Sequence, residues 1–372
     1  MTPPGLPPIL RAMNPLSPVP EIALLPALTA ALDLGLGDLG ALSLAAVPDA
    51  LVVVLAALGL DLLFGGPRGL RTVTPGPRQI FQGWAAGLER RLNRSKRSAR
   101  DRQVRGFLAV VSLALAGAAI GSLLHLLALN LPPELPFGFV IELLAVTAML
   151  SPRYALGHLR KIARALRWGG LNAGAAALRE FLGPDDDTLD EHLISRRAIE
   201  AAARASLSRL AGPVFWYVLL GLPGLFAYVA ICESTHTMAS YQHRHLAFGS
   251  LVRGLDDAVN YLPAWLAAGL FALATLIAPT TRPGEVFRVI LRDARRHPSL
   301  SLGPVIAALA GALGLTLAGP QRVDGHQRGG EWIGEGRAMA TVADITRAAY
   351  LYAVANLFLA AGLALALLFT GS

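Results

Sequence analysis

Long apolar stretches, recurring along the chain and separated by basic loops, constrain this sequence more than any other feature. They fall at residues 50–64, 107–131, 137–150, 214–231, 264–278, 305–317 and 348–369. About 20 apolar residues carry a helix across a bilayer, and several blocks approach that length. The shorter ones suit buried, tilted or re-entrant helices. Of the 372 residues, 54% are hydrophobic and only 16% charged, too few polar groups to cover a soluble core of that size. The expectation is an all-α polytopic integral membrane protein of about five to seven membrane segments, some of them re-entrant, with amphipathic helices in a cytoplasmic loop.

The formal charge of +8 is concentrated between the apolar blocks. Residues 67–105 carry eleven arginines and lysines against Glu89 and Asp101, and residues 151–210 carry ten more. The positive-inside rule puts both loops in the cytoplasm, and the expected location is the bacterial inner membrane. Blocks 107–131 and 137–150 then form a hairpin with Pro132-Pro133-Glu134 as its outer turn. Basic loops also attract nucleic acid, but no aromatic interleaving or binding module accompanies them, so no nucleic-acid partner is expected. Anionic lipid heads and topology account for them. Cys232 is the single cysteine, which excludes an intrachain disulfide and reads as a small core residue.

Two domains are expected. Residues 1–47, with eight prolines before Ala27 and little charge, form a divergent extension that lacks the basic start and compact apolar core of a signal peptide. Residues 48–372 form one membrane domain containing the basic helical loop 151–210. In that loop Leu156, Leu159, Ile162, Ala163 and Leu166 make a helical stripe, residues 171–181 repeat it, and Gly183-Pro184 ends it. Residues 189–210 read as a further amphipathic helix capped by Asp187 or Thr188. Residues 214–231 hold Gly221-Leu222-Pro223-Gly224 at their centre, which breaks a helix. A simple count of spans puts residues 233–261 outside. If they work on cytosolic substrates, block 214–231 is instead a re-entrant hairpin.

The run Leu255-Asp256-Asp257-Ala258-Val259-Asn260-Tyr261-Leu262-Pro263-Ala264 sets two acids and an amide at the mouth of an apolar block. With it, Asp61-Leu62-Leu63-Phe64-Gly65-Gly66-Pro67, Thr74-Pro75, Ala198-Ile199-Glu200, Pro213-Val214-Phe215-Trp216, Gly221-Leu222-Pro223-Gly224, Ala227-Tyr228, Arg244-His245, Phe248-Gly249, Arg292-Asp293-Ala294, His297-Pro298-Ser299 and Gly319-Pro320 occur in an order and spacing that resembles the adenosylcobinamide-phosphate synthase (cobinamide synthase) family of cobalamin biosynthesis. The likeness runs from about Leu51 to the C-terminus. The chain departs from that pattern at Gly66 and Thr74, at Arg204-Ala205 and Ser208-Arg209 where Glu-Asn and Asp-Gly are usual, at 232–237 where Asn-Thr-x-Asp-Ser-Met is usual, at Trp265, and at Ser299-Leu300-Ser301 where Ser-Pro-Asn is usual.

The resemblance implies an ATP- and Mg2+-dependent ligase that joins aminopropanol or its phosphate to a carboxylate of adenosylcobyric acid or a related corrinoid, alongside other corrin-pathway enzymes. The departures imply an alternative: a catalytically impaired paralogue acting as a corrinoid-binding, scaffolding or regulatory membrane protein. Catalytic candidates are Asp256, Asp257, Asn260 and Glu200. Substrate-binding candidates are Asp61, Arg292, Asp293, Arg296, His297 and Ser299, and Asp256 and Asp257 are the candidate Mg2+ ligands. Each has a structural reading beside the functional one. Asp256 caps a helix leading to Pro263, Asp257 pairs with Arg253, Glu200 pairs with a neighbouring arginine at i,i+4, Asp61 pairs with a loop arginine, and Arg295-Arg296-His297 forms a topology-setting flank. His236, His243 and His245 lack the acid or cysteine that would complete a zinc pattern. The stretch 325–336 has no Lys-Ser or Lys-Thr and reads as a flexible loop, not a phosphate loop. No internal repeat supports a transporter.

Overall fold

The computed structural model describes residues 47–64, 76–131, 136–183, 190–239, 244–278, 283–323, 326–328 and 330–370. Residues 1–46, Gly65-Gly66-Pro67, Thr74-Pro75, Pro132-Pro133-Glu134, residues 185–188 and His243 lie outside the described residues. The described chain is built of helices: α1 Val47–Phe64, α2 Pro77–Leu92, α3 Ala99–Leu129, α4 Phe137–Met149, α5 Pro152–Leu182, α6 Glu191–Ser206, α7 Gly212–Met238, α8 Ser250–Ala274, α9 Pro283–Asp293, α10 Leu302–Leu313 and α11 Val342–Thr370. The short strands β1 Leu317–Ala318 and β4 Trp332–Ile333 pair antiparallel, as do β2 Gln321–Val323 and β3 His326–Arg328. Part of the stretch expected to be a flexible glycine-rich loop is therefore paired strand.

Among the described residues, five helical stretches are long and apolar enough to cross a membrane: 99–129, 137–182, 191–238, 250–274 and 342–370. Two of these are not single rods. Within α7, Gly221 adopts φ 64° and ψ −155°, a conformation that only glycine takes without strain. Beyond it the chain turns back on itself. The Tyr228 hydroxyl meets Gly212 so closely that a Cβ there would overlap it, although 16 residues of continuous helix would hold them about 24 Å apart. Block 214–231 is thus a helical hairpin with both ends at the same pole, as the re-entrant alternative requires. A second reversal at Gly170, φ 73° and ψ −169°, folds α5 so that His158 stacks on Phe181 with ring centres 4.7 Å apart. These two arms are the two amphipathic stripes read in the basic loop.

The α7 hairpin is held from two directions. Gly117 and Gly121 of α3, spaced Gly-x-x-x-Gly, let that helix approach until a Cβ at either position would strike the carbonyls of Phe226 and Leu222. Small residues four apart commonly permit such contact between membrane helices, where packing must replace the hydrophobic effect. On the other side, α10 is buried along its whole length between α9 and α8. The apolar block around it is core, not a lipid-facing span. The N-cap of α6 is Asp190, whose carboxylate accepts from the Leu193 amide at 2.6 Å, one turn later than the expected cap at 187 or 188.

If the reversal at Gly221 organises the bundle, Gly221→Ala should lower stability by about 1–3 kcal/mol through backbone strain alone. Gly157, exposed on a regular helical turn with open space around it, is the control: Gly157→Ala should be neutral or slightly stabilising. Thermal unfolding of the two variants in detergent reads the difference.

Candidate functional site

Elements far apart in sequence converge at one pole around a buried ion pair. Arg78 of α2 donates to Glu233 Oε1 at 2.5 Å, and Gln82 donates to Glu233 Oε2 at 2.5 Å. The same guanidinium donates to the carbonyls of Met149 (2.8 and 3.0 Å) and Ser208 (3.0 Å). One arginine thereby joins α2, the end of α4, the turn before α7 and the returning arm of α7. Nearby, Glu89 accepts from Arg244 at 2.9 Å on each oxygen and approaches His245 at 3.2 Å, tying α2 to the segment before α8. The basic segments and the returning arm of α7 therefore lie at one pole.

The acidic pair sits here, on the first half of α8. Gly249 precedes this helix and Asp256 lies beyond its first turn, so Asp256 does not cap it. The two acids look in different directions. Asp256 Oδ1 accepts from the Asn260 amide at 3.0 Å, and the side chains of Cys232 and Thr235 approach the same carboxylate. Asn260 Oδ1 in turn accepts from the Tyr228 hydroxyl at 2.7 Å. The chain Tyr228–Asn260–Asp256 thus couples the returning arm of α7 to α8. It is buried at Tyr228 and Asn260 and half-buried at Asp256.

Asp257 faces α10. Its Oδ1 accepts from Ser299 Oγ at 2.5 Å, Ser301 Oγ at 2.7 Å and the Ser301 amide at 3.2 Å. Ser299 Oγ also accepts from the Leu302 amide at 3.1 Å. The carboxylate therefore lies at the N-terminal end of α10, where exposed amides and the helix dipole favour negative charge. Its second oxygen has no hydrogen-bond partner among the described residues. Arg253 donates to the carbonyls of Ala239 and Leu246, both at 3.0 Å. His297 Nδ1 accepts from the Ser299 amide at 3.0 Å. Burial pushes this imidazole down to about 4, so it is neutral at physiological pH.

Of the sequence candidates, Asp256, Asp257, Asn260, His297 and Ser299 come together in this cluster. The others are engaged elsewhere. Asp61, only 3% exposed, accepts from the Arg153 amide at 3.1 Å, so it serves the head of α5 as a capping group. Glu200 Oε1 accepts from the Ala318 amide at 2.7 Å and lies 3.9 Å from Arg196, which itself stacks over the Trp332 ring at 4.8 Å. It fastens α6 to β1. Asp293, fully buried, takes Arg292 at 2.6 and 2.7 Å, the Gly334 amide at 2.9 Å and Arg296 at 3.4 Å. The Arg292 guanidinium holds this carboxyl below its ordinary range. Arg292 also pairs with Glu335 and Arg296 with Glu331 at 3.8 Å, so both cations are partly neutralised by the strand-bearing segment.

Sequence reasoning missed Ser301, Arg78 and Arg204 as parts of this pole. Arg204 is exposed and has no hydrogen-bond or ion-pair partner among the described residues, yet it is close enough to act electrostatically on His297 and Asp256. Its only sequence signal was being basic where the resembling family is acidic. No group of three His, Cys, Asp or Glu side chains suited to holding a metal occurs among the described residues. By donor type the hard carboxylates of Asp256 and Asp257 suit Mg2+, which keeps most of its waters, better than zinc, but because they look in different directions each would offer a cation a separate ligand.

Comparison with known proteins adds an independent line. The sequence model of the CobD/Cbib protein family matches residues 54–352. A protein of Brucella anthropi named cobalamin biosynthesis protein CobD is 34% identical over 304 residues, covering 81% of this chain and 92% of its own. Proteins of the same name from a Sinorhizobium species (36% identical over 298 residues, 79% and 91% covered) and Rhodobacter capsulatus (31% over 314 residues, 84% and 96%) are similar along nearly their whole lengths. No solved structure matches.

Two consequences follow for the cluster. Ser301→Ala should cost about 1 kcal/mol, because it removes one donor from Asp257 and leaves the others in place. Neutral His297 contributes stability that is complete above its unfolded value of 6.5 and lost as pH falls toward about 4. Between pH 6.5 and 5, the thermal midpoint of His297→Gln should therefore fall less steeply than that of the unsubstituted protein.

Proposed function

The chain belongs to the CobD/Cbib protein family, and we propose that it serves cobalamin biosynthesis as a membrane-embedded ligase. In this reading it joins aminopropanol or its phosphate to a carboxylate of adenosylcobyric acid or a related corrinoid, forming an amide at the expense of ATP. The observation that carries the reading is the clustering at a polar pole of Asp256, Asp257 and the exposed Arg204, where the second oxygen of Asp257 and the Arg204 guanidinium have no hydrogen-bond partner among the described residues. The basic loops at that pole support a cytoplasmic face, and in this reading the membrane is the bacterial inner membrane, whose cytoplasmic side meets ATP and soluble corrinoids.

Each group has a distinct task in this reading. Asp257, anchored on one oxygen by two serine hydroxyls, presents the other in a fixed direction, either to a cation or to the incoming ammonium. Arg204 meets phosphate or carboxylate charge. Asn260, locked between Tyr228 and Asp256, orients the latter carboxylate. Neutral His297 sets the backbone at Ser299 and so the direction of the hydroxyl on Asp257. Mg2+-bound ATP, when present, would supply phosphoryl activation of the corrinoid carboxylate, with Asp256 and Asp257 the residues suited to hold the cation.

The alternative, a corrinoid-binding paralogue without ligase chemistry, has a specific observation in its favour. The altered blocks at 204–209 and 232–237 both reach this cluster, through Arg204 and through Cys232 and Thr235. Complementation of a cobinamide-synthase deletion strain growing on cobyric acid separates the two. The ligase reading expects rescue by the unsubstituted chain, none by Asp257→Ala at equal membrane expression, and retained rescue by Glu200→Gln. Failure of the unsubstituted chain, with corrinoid still co-purifying, supports the paralogue.

A further inference from the structure

A second charged feature lies away from the acidic cluster, between the first arm of α5 and the start of α11. Arg160, Arg164 and Arg167 recur at helical spacing along the arm and line a groove of about 430 Å3. Thr346 and Tyr350 of α11 form its other wall. All three arginines are exposed, and none has a hydrogen-bond or ion-pair partner among the described residues. Contrast Lys161 on the same turn, which is paired with Glu180. No acidic residue lines the groove among the described residues. Three guanidinium groups on one helical face, without a partner among the described residues, call for either solvent or an anion.

The opposite wall indicates which anion. Thr346, Tyr350, Ala353, Leu357 and Leu368 fall on one face of α11, and Leu357 and Leu368 are 63% and 73% exposed. That face is the apolar stripe a spanning helix presents to acyl chains. Counting about 20 residues back from Thr370 puts the edge of the hydrocarbon close to Tyr350. The groove therefore opens at headgroup depth directly above a lipid-facing stripe. Tyr350 and Trp168, the latter 82% exposed at the tip of the arm, are the aromatic types enriched at that depth.

We infer that this groove binds the phosphodiester headgroup of an anionic phospholipid, whose acyl chains lie along the Leu357–Leu368 face of α11. A soluble phosphate would find the same guanidinium groups but no use for the stripe. Occupancy would hold the α5 hairpin against α11 and so steady the basic loop that adjoins the acidic cluster. The site is independent of whichever reaction that cluster performs.

The test is a titration of the full chain in non-ionic detergent with phosphatidylglycerol, phosphatidylcholine or inorganic phosphate, followed by native mass spectrometry and thermal unfolding. The expected result is retention of phosphatidylglycerol alone, with a raised midpoint. Each arginine replaced by glutamine should weaken retention about fivefold, the ~1 kcal/mol that one basic residue contributes toward an anionic surface. The triple lysine variant R160K/R164K/R167K should keep most of it. If the triple glutamine variant does not fold, R160Q alone carries the comparison. Equal retention of phosphatidylcholine, equal binding of inorganic phosphate, or unchanged phosphatidylglycerol binding in the glutamine variants would each overturn the inference.

Discussion

A helix that reverses within an apolar bundle leaves backbone donors and acceptors without partners, and the surrounding protein must supply both satisfaction and shielding. In this chain the reversal at Gly221 is the constraint from which the remaining arrangement follows. Gly117 and Gly121 bring α3 against the returning arm, and the absent side chain of Gly212 makes room for Tyr228. Because the arm returns, Cys232, Glu233 and Thr235 reach the same pole as the basic segments. A straight α7 would carry them to the opposite face of the membrane, leaving Asp256 without the neighbours it has.

The ion pair of Arg78 and Glu233 follows from that return. A carboxylate 1% exposed among apolar helices requires a cation, and Arg78 satisfies it while also holding the carbonyls of Met149 and Ser208. Removing either partner of such a pair typically costs about 3–5 kcal/mol, because the other charge remains buried. Arg78 is thus a structural neighbour of the acidic cluster and not a member of it. Asp61, Glu200 and Asp293 fasten backbone amides of other segments, whereas Asp257 sits in one cluster with Asp256, Asn260, His297 and Ser299. The company of other polar side chains, more than acidity, sets the candidate site apart from these fastenings.

Much of this was legible beforehand. The apolar blocks, the helical stripes of the basic loop and the break at 221–224 all rest on local periodicity or on a proline between glycines, and the structure has helices and reversals there. The five members of the cluster were recognisable by residue type and by family resemblance. What local pattern does not carry is pairing at a distance. Arg78 and Glu233 are 155 residues apart, and Ser301 reaches Asp257 across 44. Glu200 reads as apt for catalysis as Asp257, and Asp61 as apt for substrate binding as Ser299, because an acid in the sequence reads alike whether it meets a substrate or an amide. The burial of α10 was equally silent, since a short apolar run fits a core helix and a membrane segment alike.

The assembled site depends on the chain reversal that gathers these groups at one pole. Spin labels at the exposed positions 204 and 236, introduced by cysteine substitution in a Cys232→Ser background, measure it directly by pulsed electron paramagnetic resonance in nanodiscs. Folding back at Gly221 predicts a separation below about 25 Å, the scale of neighbouring packed helices with their labels. A separation near 48 Å, the length of about 32 residues of unbroken helix, would contradict the hairpin and with it the assembled site.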